Sequence, residues 1–145
     1  MKKHIIVFAF LFPFLLLNNS CKKAAGTGGR ASIKGKIWVR QYKSIDFSTP
    51  LFAQYEGTNQ TVHIIYGDNL GEDNHATTDY NGSFEFQYLR KGNYKVYVYS
   101  ADSAVCSTQG ANALYVPQKE IVQDVNITDR KQILDLGTIT ILKNK

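Results

Sequence analysis

Cysteine is almost absent from this chain of 145 residues: Cys21 and Cys106 are the only two. Two thiols exclude a disulfide framework and any four-cysteine zinc site, and leave at most one bridge, between each other. A nucleophilic cysteine needs a base that holds it as thiolate. No motif ties His63 or His75 to Cys106, so Cys106 is expected to be a lone, buried, inert thiol. Histidine is scarce too, with three residues, and without paired Cys or His spacing, with His63 on an expected strand and His75 in an expected loop, zinc is not supported. Charge is modest. The formal net charge is +5, and setting aside Lys2 and Lys3 leaves +3, too small and too scattered for nucleic acid. No long Ala/Leu/Glu/Lys run is present, so no substantial helix is expected. The longest apolar run, Ile5 to Leu17, would span roughly 20 Å as a helix against a hydrocarbon core of roughly 30 Å, and Pro13 interrupts it. It is too short to cross a membrane.

What the chain does have is alternation and aromatic residues, nine of them tyrosine, which suits sheets. The stretch Thr77 to Ser100 organises the rest. Asn81-Gly82 reads as a type I′ turn. Phe84, Phe86 and Tyr88 then share one face of a strand, and after Arg90-Lys91-Gly92-Asn93 the residues Tyr94, Val96 and Val98 share another. Together they read as a hairpin that needs a second sheet to cover it. Before it come a strand over 31–40, with Ala31, Ile33, Gly35, Ile37 and Val39 inward, and one over 60–66, with Val62, Ile64 and Tyr66 inward. A long excursion over 41–59 separates these two, and a polar loop over 67–76 follows. After it come a short edge segment over 114–117 and a strand over 120–128. The last strand, over 134–142, turns inward either Leu136 or, past a bulge at Gly137, Ile139 and Ile141. Seven strands at such spacing favour a sandwich, and there is no internal repeat.

The series Thr78, Asp79, Gly82, Phe84, Phe86, Leu89, Gly92, Tyr94, Val96 and Val98 resembles the carboxypeptidase-regulatory-like or collagen-adhesin B-type domain. The resemblance implies an all-β, seven-stranded transthyretin-like (prealbumin-like) β-sandwich over 31–145. It leaves function open, because this scaffold serves as stalk, spacer, docking domain and binder. The family's 5-hydroxyisourate hydrolases end in Tyr-Arg-Gly-Ser, whereas this chain ends Ile141-Leu142-Lys143-Asn144-Lys145. The Lys–Asn isopeptide of some adhesin domains is unsupported too, since Lys34 and Lys36 fall on the outward face.

Residues 1–20 read as a secretory signal: basic Lys2, Lys3 and His4, an apolar run, then Asn19-Ser20-Cys21. The arrangement resembles a bacterial lipoprotein signal of the Bacteroidota kind, which implies lipid attachment at Cys21. Asn18 stands where leucine is usual, and the alternative is an ordinary signal followed by an incidental cysteine. Residues 21–30, with Lys22-Lys23 and three glycines, read as the lipidated cysteine and a flexible tether. The expected address is the outer membrane, on either its periplasmic or its outer side.

Among candidate sites, the loop Asp68 to His75 is rich in oxygen ligands but lacks the EF-hand spacing, and reads as solvated. No metal or other cofactor is expected, and no acid/base pair is recognisable. Asp102-Ser103-Ala104 fits the short O-glycosylation pattern of exported Bacteroidota proteins, marking Ser103. Trp38, Tyr97 and Tyr99 point away from the core by alternation. Either they form a binding face for a glycan or peptide, or the 41–59 excursion folds over them. The resulting expectation is a non-catalytic, lipid-anchored envelope lipoprotein, a structural or accessory module that presents or docks envelope components, with an envelope protein or glycan as the partner. The alternative is a glycan- or peptide-binding lipoprotein that uses the aromatics.

Overall fold

A computed structural model describes residues 24–110 and 114–145; the expected leader and Cys21 lie outside the described residues. The elements are β1 (Thr27–Tyr42), β2 (Leu51–Glu56), β3 (Thr61–Tyr66), β4 (Asn74–Thr77), β5 (Ser83–Leu89), β6 (Gly92–Ala101), a short helix α1 (Ser103–Gln109), β7 (Gln118–Ile127) and β8 (Ile133–Asn144). They form two four-stranded sheets packed as a sandwich. In the first sheet β1 is the spine. β8 runs parallel to it from Ser32 to Tyr42, while β5 pairs its first half and β2 its second half, both antiparallel. The second sheet is antiparallel throughout, in the order β4-β3-β6-β7.

Among the described residues the strand number is eight, not seven. The 41–59 excursion contains β2, and the polar loop contains β4, whereas 114–117 forms no strand. Leu51, Ala53 and Tyr55 do alternate in β2, but neither β2 nor β4 contains a buried residue. Their backbone groups find partners because β1 and β3 present open edges.

The central stretch is not a hairpin. β5 pairs with β1 in the first sheet, and β6 pairs with β3 and β7 in the second, so 90–91 is an arch from one sheet to the other. Phe84 and Phe86 therefore face Tyr94, Val96 and Val98 across the sandwich, and the apolar faces cover one another. The turn before β5 also differs from type I′. Asn81 keeps negative φ, and Gly82 alone is left-handed, at φ 75°. Asp79 builds the turn instead, its Oδ1 accepting from the N–H groups of Asn81 (2.8 Å) and Ser83 (2.9 Å).

Two bulges set which residues reach the core. At Tyr88, φ is 60° and the side chain turns out to 68% exposure, so Leu89 takes the inward place expected of Tyr88. At Gly137 (φ 68°) the β1–β8 register shifts, and Ile139 and Ile141 become buried while Leu134 and Leu136 are only partly so. The core between the sheets comprises Ile33, Ile37, Val39, Phe84, Phe86, Leu89, Ile139 and Ile141 from the first sheet, and Val62, Ile64, Tyr94, Val96, Val98, Val125 and Ile127 from the second.

The fold also begins earlier than Ala31. Gly26 is buried, Ala25 packs on the core, and the Gly26 N–H donates to the Tyr94 hydroxyl at 3.0 Å. Residues 24–30 are thus docked chain, not tether. A final departure is α1, which Asp102 caps by accepting from Ala104 N–H at 3.1 Å. The helix buries only Cys106, so it has no apolar stripe to betray it in the sequence.

Candidate functional site

The richest cluster of polar and aromatic side chains lies on the outer face of the second sheet. Cross-strand register builds it. His63 on β3 stands opposite His75 on β4 on one side and Tyr97 on β6 on the other, and Tyr97 stands opposite Val122 on β7. Residues directly opposite share a face, so this is one continuous row across four strands. Tyr99, two residues beyond Tyr97, lies opposite Glu120 in the next row. His75 therefore sits on a strand paired with His63, not in a loop.

The rings pack on one another. His63 stacks on Tyr97 with centroids 4.8 Å apart and planes 15° from parallel; Tyr99 meets Tyr97 edge-on at 5.8 Å and His63 at 5.6 Å. Glu72 closes the cluster from the loop before β4. Its Oε1 lies 2.8 Å from His75 Nδ1 in a hydrogen bond. Its Oε2 lies 2.8 Å from His63 Nδ1, an ion-pair distance that is out of line for a hydrogen bond, and that nitrogen is otherwise sealed from solvent. Burial alone would raise the Glu72 pKa, but the polar contacts and charges of His63 and His75 outweigh it and hold the carboxyl below its ordinary 4.5. Burial, reinforced by Tyr99 and the carboxylates of Glu72 and Glu120, pushes the Tyr97 phenol up, so it stays protonated at neutral pH.

Tyr97 is 8% exposed and Tyr99 is 44% exposed; the Tyr99 hydroxyl donates to Glu120 Oε1 at 3.3 Å. Tyr99, Glu120 and Val122 are thus the accessible rim, and Tyr97 with His63 is the floor. Such a surface offers a ring edge and face for stacking, with hydroxyl and carboxylate groups for hydrogen bonds. Among the described residues no group of three or more His, Cys, Asp and Glu side chains is arranged to hold a metal ion.

The other aromatic candidate is elsewhere. Trp38 lies on the outer face of the first sheet, half-buried, opposite Glu56 and Thr140, with its Nε1–H donating to Gln54 Oε1 at 3.3 Å. Trp38 and the tyrosines therefore make two surfaces, not one. The 41–59 excursion covers neither as a layer. Its strand β2 extends the first sheet in plane, Phe47 packs on Tyr42, and Phe52 lies beneath the ammonium groups of Lys43 and Lys145. What shields Tyr97 is its own row, with His63 stacked on it. Sequence reasoning missed His63, Glu72 and His75 as a unit, because only the β3–β4 register brings them together.

Ser103 is half-buried at the first position of α1, next to Asp102, which also pairs with Lys119 at 3.5 Å. Cys106 is fully buried, and burial followed by the Asp102 charge pushes its thiol pKa up, in keeping with an unreactive side chain. Cys21 lies outside the described residues. An open groove of about 590 Å³ runs past Lys34, Lys36, Asp79, Glu85 and Asp135, and its lysines are paired, Lys34 with Asp135 at 3.6 Å and Lys36 with Glu56 at 3.0 Å.

No protein-family model matches the chain, and no curated protein matches it. Among solved structures, a protein from Pseudomonas aeruginosa described as a proposed carbohydrate-binding protein is similar over 82% of this chain and 92% of its own, at 14% identity and a TM-score of 0.44. An (S)-allantoin synthase is similar over 79% of this chain and 42% of its own, at 9% identity and a TM-score of 0.41. A 9R-lipoxygenase from Cyanothece is similar over 76% of this chain and 16% of its own, at 15% identity and a TM-score of 0.32. Similarity at this level carries no functional argument.

Proposed function

We propose that the chain is a lipid-anchored lipoprotein of the bacterial outer membrane, and that its transthyretin-like sandwich is a non-catalytic module that presents or docks envelope components. One observation carries this reading. A basic, apolar, small-residue leader ends at Cys21, and the chain is already packed in the sandwich by Ala25. A basic start, an apolar run too short to span a membrane and a small residue directly before a cysteine support this reading. Localisation tests it. Wild-type chain should fractionate with outer membranes, and Cys21→Ser should appear in the soluble periplasmic fraction. Equal distribution of the two would overturn the reading.

The second reading, a glycan or peptide binder, has its own support in the rim of Tyr99, Glu120 and Val122, exposed above the Tyr97–His63 floor. Tyr99→Ala should leave the melting temperature nearly unchanged while it lowers retention on a glycan or envelope-peptide array. Unchanged retention would remove this surface from consideration.

A further inference from the structure

One end of the sandwich gathers unpaired basic side chains, and it is the end at which the chain enters. Arg90 Nη1–H donates to the Ala24 carbonyl at 3.4 Å, Arg90 N–H donates to the Gly26 carbonyl at 2.9 Å, and Thr27 stands opposite Leu89. These contacts hold the entry beside the arch that carries Arg90 and Lys91. The turn between β7 and β8 comes to the same end, since Gly92 stands opposite Ile127 and Ser32 N–H donates to the Gln132 carbonyl at 2.9 Å. That turn carries Arg130 and Lys131, and Arg30 lies beside Ala31, itself opposite Leu89.

Arg30, Lys91, Arg130 and Lys131 are exposed, and Arg90 is half-buried. The carboxylates at this end are Asp129, in the same turn; Asp124, which lines a groove with Asp68 and Asn93; and Asp68 and Asp73, in the loop after β3, whose Gly67 N–H donates to the Asn93 carbonyl at 2.8 Å and whose Asp73 accepts from the Tyr66 N–H at 2.7 Å. Among the described residues none of the five cations pairs with a carboxylate within 4.0 Å; the ion pairs are made by Lys34, Lys36, Lys119, His63 and His75.

We propose that this basic end is a docking surface for the anionic phospholipid headgroups of the membrane that carries the lipid. The proposal rests on the lipid-anchor reading above. From Cys21 to Ala24 is three residue steps, which reach about 10 Å at most when fully extended. That is close to the Debye length of about 8 Å at physiological salt, so the cations cannot be carried far beyond the range of the surface potential. The sandwich then stands on the bilayer by this end, with α1 and the last residues of β8 directed away from it.

Vesicle flotation of the mature chain, residues 21–145, separates the two ideas. Wild type and Cys21→Ser are each mixed with vesicles of pure phosphatidylcholine and with vesicles containing phosphatidylglycerol, at low and at high salt. Wild type alone should float with phosphatidylcholine, which reads the lipid anchor. Cys21→Ser should float only with phosphatidylglycerol vesicles and only at low salt, which reads the basic end independently of the lipid. In the Cys21→Ser background, Lys91→Glu/Arg130→Glu/Lys131→Glu, all exposed positions, should lower that binding at least about tenfold. A circular dichroism melt confirms that the triple variant folds. Equal binding of the folded triple variant, or binding that ignores salt, would overturn the docking surface while leaving the anchor standing. Failure of wild type to float with phosphatidylcholine would overturn the anchor alone.

Discussion

The hydroxyl of Tyr94 ties the first described residues to the sandwich. The buried Gly26 N–H donates to it at 3.0 Å, and its own proton faces the carbonyls of Arg90 at 2.8 Å and Gly26 at 3.2 Å. Tyr94→Phe keeps the ring but leaves that N–H without its partner. It should cost about 1–3 kcal/mol in chemical denaturation, and it should make the segment before Thr27 more open to proteases. Glu72 supplies a test by pH. Its folded pKa lies below 4.5, so in that range the folded state binds fewer protons than the unfolded one. The stability it contributes is present above its unfolded value and is lost as pH falls through the folded value. The melting temperature of wild type should therefore drop more steeply below about pH 4.5 than that of Glu72→Gln. Parallel acid limbs would mean that Glu72 does not clasp the two histidines.

At the scale of elements, β5 is where the alternating pattern and its failure can both be measured. Phe84 and Phe86 alternate inward as their spacing indicates, but the bulge at Tyr88 hands the last inward position to Leu89. Leu89→Ala should cost about 2–5 kcal/mol, and Phe86→Ala about 3–5 kcal/mol, from lost burial and the cavity left behind. Tyr88→Ala and Gln87→Ala, both exposed, should change stability by about 0.5 kcal/mol or less. A large loss at Tyr88 with none at Leu89 would contradict the register. The same contrast explains what was legible in the sequence. Strands with an apolar face two residues in period, such as β1, β3, β6 and the inward part of β7, could be read directly. β2 and β4 exist because a neighbouring edge needs hydrogen-bond partners, which no local pattern records. Partner choice was equally hidden. A short arch and a tight hairpin loop look alike in sequence, so β5 and β6 read as neighbours although they lie in opposite sheets. The His63–Glu72–His75 cluster follows the same logic, for it depends on β4 being a strand at all.

For the whole molecule, two surfaces and one buried thiol define what the domain can offer its surroundings. The Tyr99 rim lies on the outer face of the second sheet, and the basic end surrounds the point where the chain enters. Cys106 is fully buried with its thiol pKa pushed up, so Cys106 in the native Cys21→Ser chain should resist alkylation at neutral pH and react only after denaturation. Rapid labelling of that native chain would contradict the packing of α1. The leader was read from a one-dimensional run of charge, apolarity and size, and it stands or falls independently of the sandwich. The decisive measurement is the mass of the N-terminal peptide of the chain recovered from membranes. The account requires that the peptide start at Cys21 and carry covalent lipid on that residue; a chain that retains residues 1–20, or that carries an unmodified Cys21, would contradict it.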